Sequence, residues 1–431
     1  MGKLFTIRKS LSLKIVVSNP SVPPHVKQTV IAYQEADYLD HFYTSFFEHP
    51  ENSFSSALKK VKSLEKEINR RSFHELPIEK FVSRPIPELL RSIASRKLGP
   101  IAADRIWEWS ELGFDNWVAN NLHQNIDAVH TYEHAALSTL KKAKELNIFG
   151  IYEQPSQHHA FFDAIVKQQT ALYPELKTAG AELLVNDKAI KRNARRDEEL
   201  ALASLIICNS TFTKKTLIAG GVDPQKITVI PLGFPPVIQH QKAEPGKKPM
   251  IFIYAGNQSL RKGSHLLYQA WHNCNFSANE AELWLIGKIQ LPQHLRENLP
   301  GKVIIKENIP HDELMSLYQQ ADVFVLPTLA DGFGMVITEA MSQGVPVISS
   351  ENCCGPDVIE PCKDGWIIPP GDIDRLSTQM QWCVANPQQV VSCGNAAKQK
   401  AADWQWPQYR KKLAEIVADK WQQFKQQKQS V

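Results

Sequence analysis

Ala321-Asp322-Val323-Phe324-Val325-Leu326-Pro327-Thr328-Leu329-Ala330-Asp331-Gly332-Phe333-Gly334-Met335-Val336-Ile337-Thr338-Glu339-Ala340-Met341 decides the fold. An apolar run rich in β-branched residues ends at Pro327, a glycine-containing loop follows, and a helix begins near Gly334. A buried strand that feeds directly into a helix belongs to a parallel sheet with crossover helices. Its carboxyl edge then carries free backbone N–H groups and the positive end of a helix dipole, where an anionic group binds well. Asp331 falls in the loop and Glu339 lies about one and a half turns into the helix, so both carboxylates can face one crevice. A phosphate does not want carboxylates, but sugar hydroxyls do, because ionised acids are strong acceptors. The pattern suits a ligand carrying both groups. A capped helix with Glu339 on a solvated face is the plainer alternative.

A second junction has the same grammar. Tyr254-Ala255-Gly256-Asn257-Gln258-Ser259-Leu260-Arg261-Lys262-Gly263-Ser264-His265-Leu266-Leu267 reads as strand, glycine-containing loop, basic pair and helix. Arg261 and Lys262 at that place would neutralise a diphosphate without a metal, Arg by a bidentate fork and Lys as a point charge. An exposed basic turn is the alternative. One basic and one acidic helix start on the same sheet edge favour the ligand.

Outward from these junctions, short Val/Ile/Leu-rich runs alternate with helical stretches. Strands are expected at Lys14 to Ser18, Ala128 to Thr131, Gly150 to Glu153, Leu205 to Asn209, Ile227 to Pro231, Ile251 to Ala255, Glu282 to Gly287, Val303 to Lys306, Val323 to Pro327 and Pro346 to Ser349. The rhythm breaks over about 42–120 into charged sequence such as Ala57 to Ile68, read as a helical insertion. A polar, helix-breaking stretch over 236–249 marks a linker. The expected organisation is an N-terminal Rossmann-like domain over 1–235, a C-terminal domain over 250–405, and a terminal helix with a tail over 406–431, its apolar positions Leu413, Ile416, Val417 and Trp421 near helical spacing.

Composition agrees and excludes other classes. A chain of 431 residues with 43% apolar and 22% charged side chains is globular and too long for one ordinary core. Its 49 basic and 45 acidic side chains give a formal charge of +4, too weak and too evenly spread to specify nucleic acid. The seven cysteines lack zinc-site spacing and read as reduced thiols of a cytoplasmic protein. No apolar run reaches the roughly 18 residues of a membrane span. Leu13 to Val17 reads as a strand, not a signal peptide, and the loose myristoylation pattern at Met1 to Thr6 reads as chance. Basic stretches at Lys59 to Lys66 and Lys191 to Arg196 would suit either a membrane surface or ordinary solvated helix faces.

The chain resembles the retaining glycosyltransferases of family 4. Asp331 to Glu339 is similar to their E-x7-E motif, with Asp for the first Glu, and Arg261-Lys262-Gly263 resembles their phosphate-binding region. Glu199 to Ala203 with Ile206 to Phe212, Val229 to Gly233, Gly344 to Ile348, Gly355 to Val358, and Asp364 to Trp366 with Pro370 to Asp372 extend the match, in order, over about 195–375. The resemblance implies the GT-B architecture, two Rossmann-like doubly wound domains facing across a cleft, with the last helix crossing back to the first. It implies a hexose moved from a nucleoside diphosphate sugar to a hydroxyl acceptor, a glycan or a lipid-linked saccharide, with no metal cofactor. Lys262 and Arg261 would hold the diphosphate, Asp331 the donor sugar and Glu339 the ribose. Gly334, Met335 and Val336 would offer backbone contacts, with Gly256 and Asn257 lining the donor side. A lipid-linked acceptor would bring a cytoplasmic protein to the inner face of a membrane.

The departures lie mainly in the first half. Asn257 stands where many relatives carry Arg, so Arg261 substitutes from a neighbouring position. The first loop reads Pro23-Pro24-His25-Val26-Lys27-Gln28 where relatives have Gly-Gly, and proline lacks that backbone freedom. No single catalytic histidine is evident: His25, His130, Glu133, Glu153 and His158 are the acceptor-side candidates, since strand ends line the crevice. A sugar-nucleotide epimerase or phosphorylase on the same scaffold, or a non-catalytic nucleotide-sugar binder, are the competing readings. A nicotinamide-linked oxidoreductase is disfavoured, because no G-x-G-x-x-G follows an expected strand.

Overall fold

The structure is a computed structural model that describes residues 13–429 apart from 53–54, 56–58, 60–64, 66–67, 89, 92–99, 177–186 and 239–247. The myristoylation pattern, most of the charged run at 57–68 and most of the linker therefore lie outside the described residues.

The strands are β1 (Ile15–Ser18), β2 (Leu39–Thr44), β3 (Phe81–Ser83), β4 (Ala128–Tyr132), β5 (Phe149–Gln154), β6 (Leu205–Cys208), β7 (Ile227–Val229), β8 (Met250–Ala255), β9 (Ala281–Ile286), β10 (Lys302–Lys306), β11 (Val323–Leu326), β12 (Val347–Ser350) and β13 (Gly365–Ile368). The principal described helices are α1 (Pro24–Glu35), α2 (Pro100–Asn121), α3 (Leu137–Glu145), α4 (His159–Leu172), α5 (Asp187–Leu202), α6 (Thr211–Ala219), α7 (Ser264–Cys274), α8 (His311–Gln320), α9 (Met335–Ser342), α10 (Gly355–Val358), α11 (Ile373–Ala385), α12 (Pro387–Asp403) and α13 (Trp406–Gln429).

The strands form two parallel sheets, a seven-stranded one ordered β3-β2-β1-β4-β5-β6-β7 and a six-stranded one ordered β10-β9-β8-β11-β12-β13. Each order reverses direction once, at β1/β4 and at β8/β11, as in doubly wound nucleotide-binding folds. The expected fold class is what the chain adopts. Every strand expected from the apolar runs is present within a residue or two of its expected ends.

Three strands were not foreseen. β2 reads Leu-Asp-His-Phe-Tyr-Thr, too polar to register as an apolar run, yet Leu39, Phe42 and Thr44 are buried. β3 is a short, partly exposed edge strand inside the stretch read as a helical insertion, which holds α2 as well. β13 begins at Gly365, where an added Cβ would lie 2.6 Å from the Val347 carbonyl of the neighbouring strand.

By contact density the chain divides into two compact units, one of 1–153, 192–207 and 410–431, the other of 154–191 and 208–409. In the first, Ile15, Val17, Ala128, Val129 and Ile151 are almost fully buried, each large aliphatic side chain stabilising by about 1.5–3 kcal/mol. Pro24 takes the first position of α1, where a missing N–H costs nothing, so this loop enters its helix without glycine. The terminal helix is longer than its apolar spacing suggests. From Arg410 onward it packs in the first unit: Arg410 forks onto both Glu35 oxygens at 2.8 Å, and Phe424 meets Phe149 with ring centres 5.1 Å apart.

In the basic stretch Lys191 to Arg196, Lys191 is exposed while the three arginines are partly buried and paired. Within the first unit Arg192 binds Asp104 at 3.0 and 3.1 Å and covers the Trp107 ring, Arg195 approaches Glu108 at 3.5 Å, and Arg196 ion-pairs with Glu133. These guanidinium groups are committed to carboxylates of α2 and β4–α3. Among the described residues no helix is long and apolar enough to cross a membrane.

Candidate functional site

In the second unit, β8 and β11 lie side by side with Phe252 opposite Val323, so the loops leaving their carboxyl ends meet. Backbone hydrogen bonds set that meeting. The Arg261 carbonyl accepts from Leu329 N–H at 2.9 Å, Ala330 N–H at 3.3 Å and Thr328 Oγ1 at 3.0 Å. Gly263, which caps α7, has φ +68°, and a Cβ there would lie 2.0 Å from the Pro327 carbonyl oxygen. Only glycine combines that conformation with that approach.

Side chains follow the backbone. Lys262 Nζ ion-pairs with Asp331 Oδ2, and Arg261 donates to Asp331 Oδ1 at 3.2 Å and to the Ala330 carbonyl at 3.1 Å. Asp331 is buried, which by itself raises a carboxyl pKa; the charges and hydrogen bonds of Lys262 and Arg261 outweigh this and hold it below the ordinary value. Gly334, at φ +86°, caps α9, whose first N–H groups, those of Met335 and Val336, have no partner inside the helix. Gly256 and Asn257 follow β8, with the Asn257 carbonyl accepting from Tyr254 Oη at 2.8 Å and its side chain exposed.

Glu339 sits on α9 with its side chain 12% exposed and binds His311 Nε2 at 3.3 Å. That hydrogen bond to Glu339, against burial, raises the His311 pKa. Burial, and then Glu339, push the Tyr318 phenol well up. The two carboxylates of the acidic motif therefore have different partners, two cations for Asp331 and a histidine for Glu339. Two cations, the start of α9 and the Asp331 carboxylate stand together at one sheet edge, an arrangement that can hold an anion beside a hydroxyl-bearing group.

Three of the acceptor-side candidates, His25, His130 and Glu153, are brought together in the first unit; Glu133 has another side-chain partner and His158 lies in the second unit. In the first unit His130 is fully buried, with Nδ1 at 2.8 Å from Tyr33 Oη and Nε2 at 3.0 Å from Glu153 Oε2. His25 lies against Tyr132 with ring centres 5.8 Å apart; burial lowers its pKa, against the pull of Glu153. Glu133 is held by Arg196. His158 belongs to the second unit, where it caps α4 by accepting from Ala160 N–H at 3.2 Å, while its own N–H donates to Thr216 Oγ1 at 3.0 Å.

Residues to which the sequence reading gave no site role also shape the site. Asn352 accepts the Asp331 N–H through its carbonyl at 2.9 Å and donates from Nδ2 to the Leu329 carbonyl at 2.9 Å. Ser210 and Thr213 hold Gly332. Ser210 carried a readable signal, a serine between a strand and a helix start, which is a preferred cap.

Residues 238–400 match the family of glycosyl transferases group 1. The chain is 27% identical over 186 residues to the GDP-mannose-dependent alpha-(1-6)-phosphatidylinositol monomannoside mannosyltransferase of Mycolicibacterium smegmatis, covering 40% of this chain and 48% of that protein. It is 25% identical over 244 residues to the MMP alpha-(1->4)-mannosyltransferase of Mycolicibacterium hassiacum, covering 53% and 57%. The chain thus spans about half the length of these curated relatives. Among solved structures, sucrose-phosphate synthase from Thermosynechococcus elongatus has a TM-score of 0.58 at 18% identity, covering 94% of this chain and 98% of that one. Anabaena HepE in complex with UDP also scores 0.58, at 16% identity, covering 94% and 100%.

Proposed function

We propose that this chain, whose residues 238–400 form a group 1 glycosyl transferase domain on a GT-B scaffold, moves a hexose from a nucleoside diphosphate sugar to a hydroxyl acceptor with retention of configuration. One observation supports this reading above others: Lys262 and Arg261 converge on Asp331 beside the first turn of α9. The cations and the helix N-terminus would draw the diphosphate and stabilise the charge that develops as it leaves. Asp331 would accept from hydroxyls of the hexose, and Glu339 from the ribose. In such a reaction the bond from the anomeric carbon to the diphosphate oxygen breaks as the acceptor oxygen attacks from the same face, and the departing oxygen takes the acceptor proton. The protein then needs no nucleophile of its own, and the two cations do what a metal does elsewhere.

Both curated relatives are mannosyltransferases and one is GDP-mannose-dependent, which makes GDP-mannose the first donor to test. Glycans and lipid-linked saccharides are the acceptor classes to test with it. Thermal stabilisation against a panel of sugar nucleotides identifies the donor, because a ligand that binds the folded state raises the melting temperature by mass action. Labelled donor is then incubated with and without acceptor. Label in a glycoside only when acceptor is present supports transfer; an isomerised sugar nucleotide from donor alone supports an epimerase instead.

A further inference from the structure

Ser210 and Thr213, both fully buried, open α6 after β6. Ser210 Oγ donates to the Gly332 carbonyl, and Thr213 Oγ1 donates to the same oxygen at 3.2 Å. Ser210 Oγ also accepts the Thr213 N–H at 3.0 Å, so one serine caps a helix and grips a loop. The neighbouring Thr211 N–H donates to Asp357 Oδ2 at 2.9 Å. Gly332 has no room to yield: a Cβ there would lie 1.9 Å from the Pro155 carbonyl oxygen.

Gly332 adjoins Asp331. The Asp331 N–H is fixed on Asn352, and the Gly332 carbonyl on the two hydroxyls. With the backbone pinned on both sides, the Cα–Cβ direction of Asp331 has little freedom. A carbonyl oxygen has two lone pairs, so each hydroxyl can occupy one. We infer that Ser210 and Thr213 are positioning residues, which hold the Gly332 carbonyl so that the Asp331 carboxylate points where a donor hexose is gripped. The inference rests on the reading of the Asp331 loop as the donor site.

Removing both hydroxyls leaves a buried acceptor unpaired and releases the loop, whereas removing one leaves a donor behind, so the two losses are not additive. The experiment compares wild type, Thr213→Val, Thr213→Ser, and the double variant Ser210→Ala/Thr213→Val, by deuterium exchange of the amides of 329–334 and by donor kinetics. The double variant is expected to exchange about tenfold faster at these amides and to lose about tenfold in kcat, with donor KM near wild type. Thr213→Val, which keeps the serine cap, is expected to exchange about threefold faster, and Thr213→Ser to behave as wild type. A destabilised protein with no positioning role would exchange faster everywhere, not only at this loop. Exchange at 329–334 and kcat both within about twofold of wild type in the valine and double variants would overturn the inference. Loop exchange is measured without substrate, so a wild type that turns over no sugar nucleotide counts against the proposed function and leaves the exchange result to decide the positioning role.

Discussion

Lys262 Nζ ion-pairs with Asp331 Oδ2 while Arg261 takes the other oxygen at 3.2 Å, so a single buried carboxylate holds both cations of the basic loop. A diphosphate entering here has to share those cations with Asp331. On the proposed function the acid would compete with the phosphates for the cations as well as accept from the sugar, and its substitution separates the two roles.

Asp331→Asn is expected to bind nucleoside diphosphate about fivefold more tightly, because the resident anion is gone, and to transfer hexose about a hundredfold more slowly, because an amide accepts hydroxyls weakly. Calorimetric titration and steady-state rates measure the two effects. Weaker binding of the diphosphate would show that Asp331 does not compete for the cations. The same variant has a pH signature. The folded Asp331 pKa is depressed, so its stabilisation is complete above the unfolded value near about 3.9 and is lost as pH falls through the folded one. Urea melts between about pH 5 and 2 should fall more steeply for wild type than for the variant.

If Glu339 accepts from the ribose as proposed, Glu339→Ala is expected to stay folded and to raise donor KM at least about tenfold, the loss of a charged hydrogen bond. An unchanged KM would remove Glu339 from the site and leave it as the partner of His311.

Glu199 offers a test in the first unit. Its burial pushes the carboxyl up to about 7, against a hydrogen bond from Tyr152 Oη at 3.0 Å and the charge of Arg195. The acid holds its proton more tightly folded than unfolded, so its stabilisation is complete below about pH 4.5 and is lost as pH rises through about 7. Glu199→Gln is expected to flatten stability over that window and to exceed wild type above it by up to about 3 kcal/mol. Parallel stability curves for the two proteins would refute the assignment.

Much of this was legible in the sequence, for stateable reasons. The core strands are unbroken apolar runs because both faces of a parallel sheet are covered, and the donor loops sit between such strands and helix starts. β2 was hidden because polar residues alternate with its buried ones. The acceptor side stayed illegible for a different reason. His130, Glu133 and Glu153 look like separate reactive side chains in sequence, but in the fold His130 bonds both Tyr33 and Glu153 while Glu133 pairs with Arg196, and only tertiary structure shows partners so distant along the chain. The partners of Arg192, Arg195 and Arg196 were hidden in the same way, since the carboxylates folded against them lie far off along the chain.

Gly263→Ala is expected to cost about 2–4 kcal/mol, combining a left-handed conformation with a clash against the Pro327 carbonyl. It should also separate the Arg261 and Asp331 loops, so that nucleotide affinity falls with stability. Differential scanning fluorimetry with and without nucleoside diphosphate reads both. A variant as stable as wild type would mean that the loop pair has slack.

Titration of nucleoside diphosphate into wild type and Lys262→Ala shows whether the basic pair beside α9 holds a nucleoside diphosphate. Wild type should bind, and the variant, folded by circular dichroism, should bind at least about tenfold more weakly, losing a charge-assisted contact to phosphate. Equal affinity in the two proteins, or no nucleoside diphosphate bound by wild type, would contradict that role of the pair.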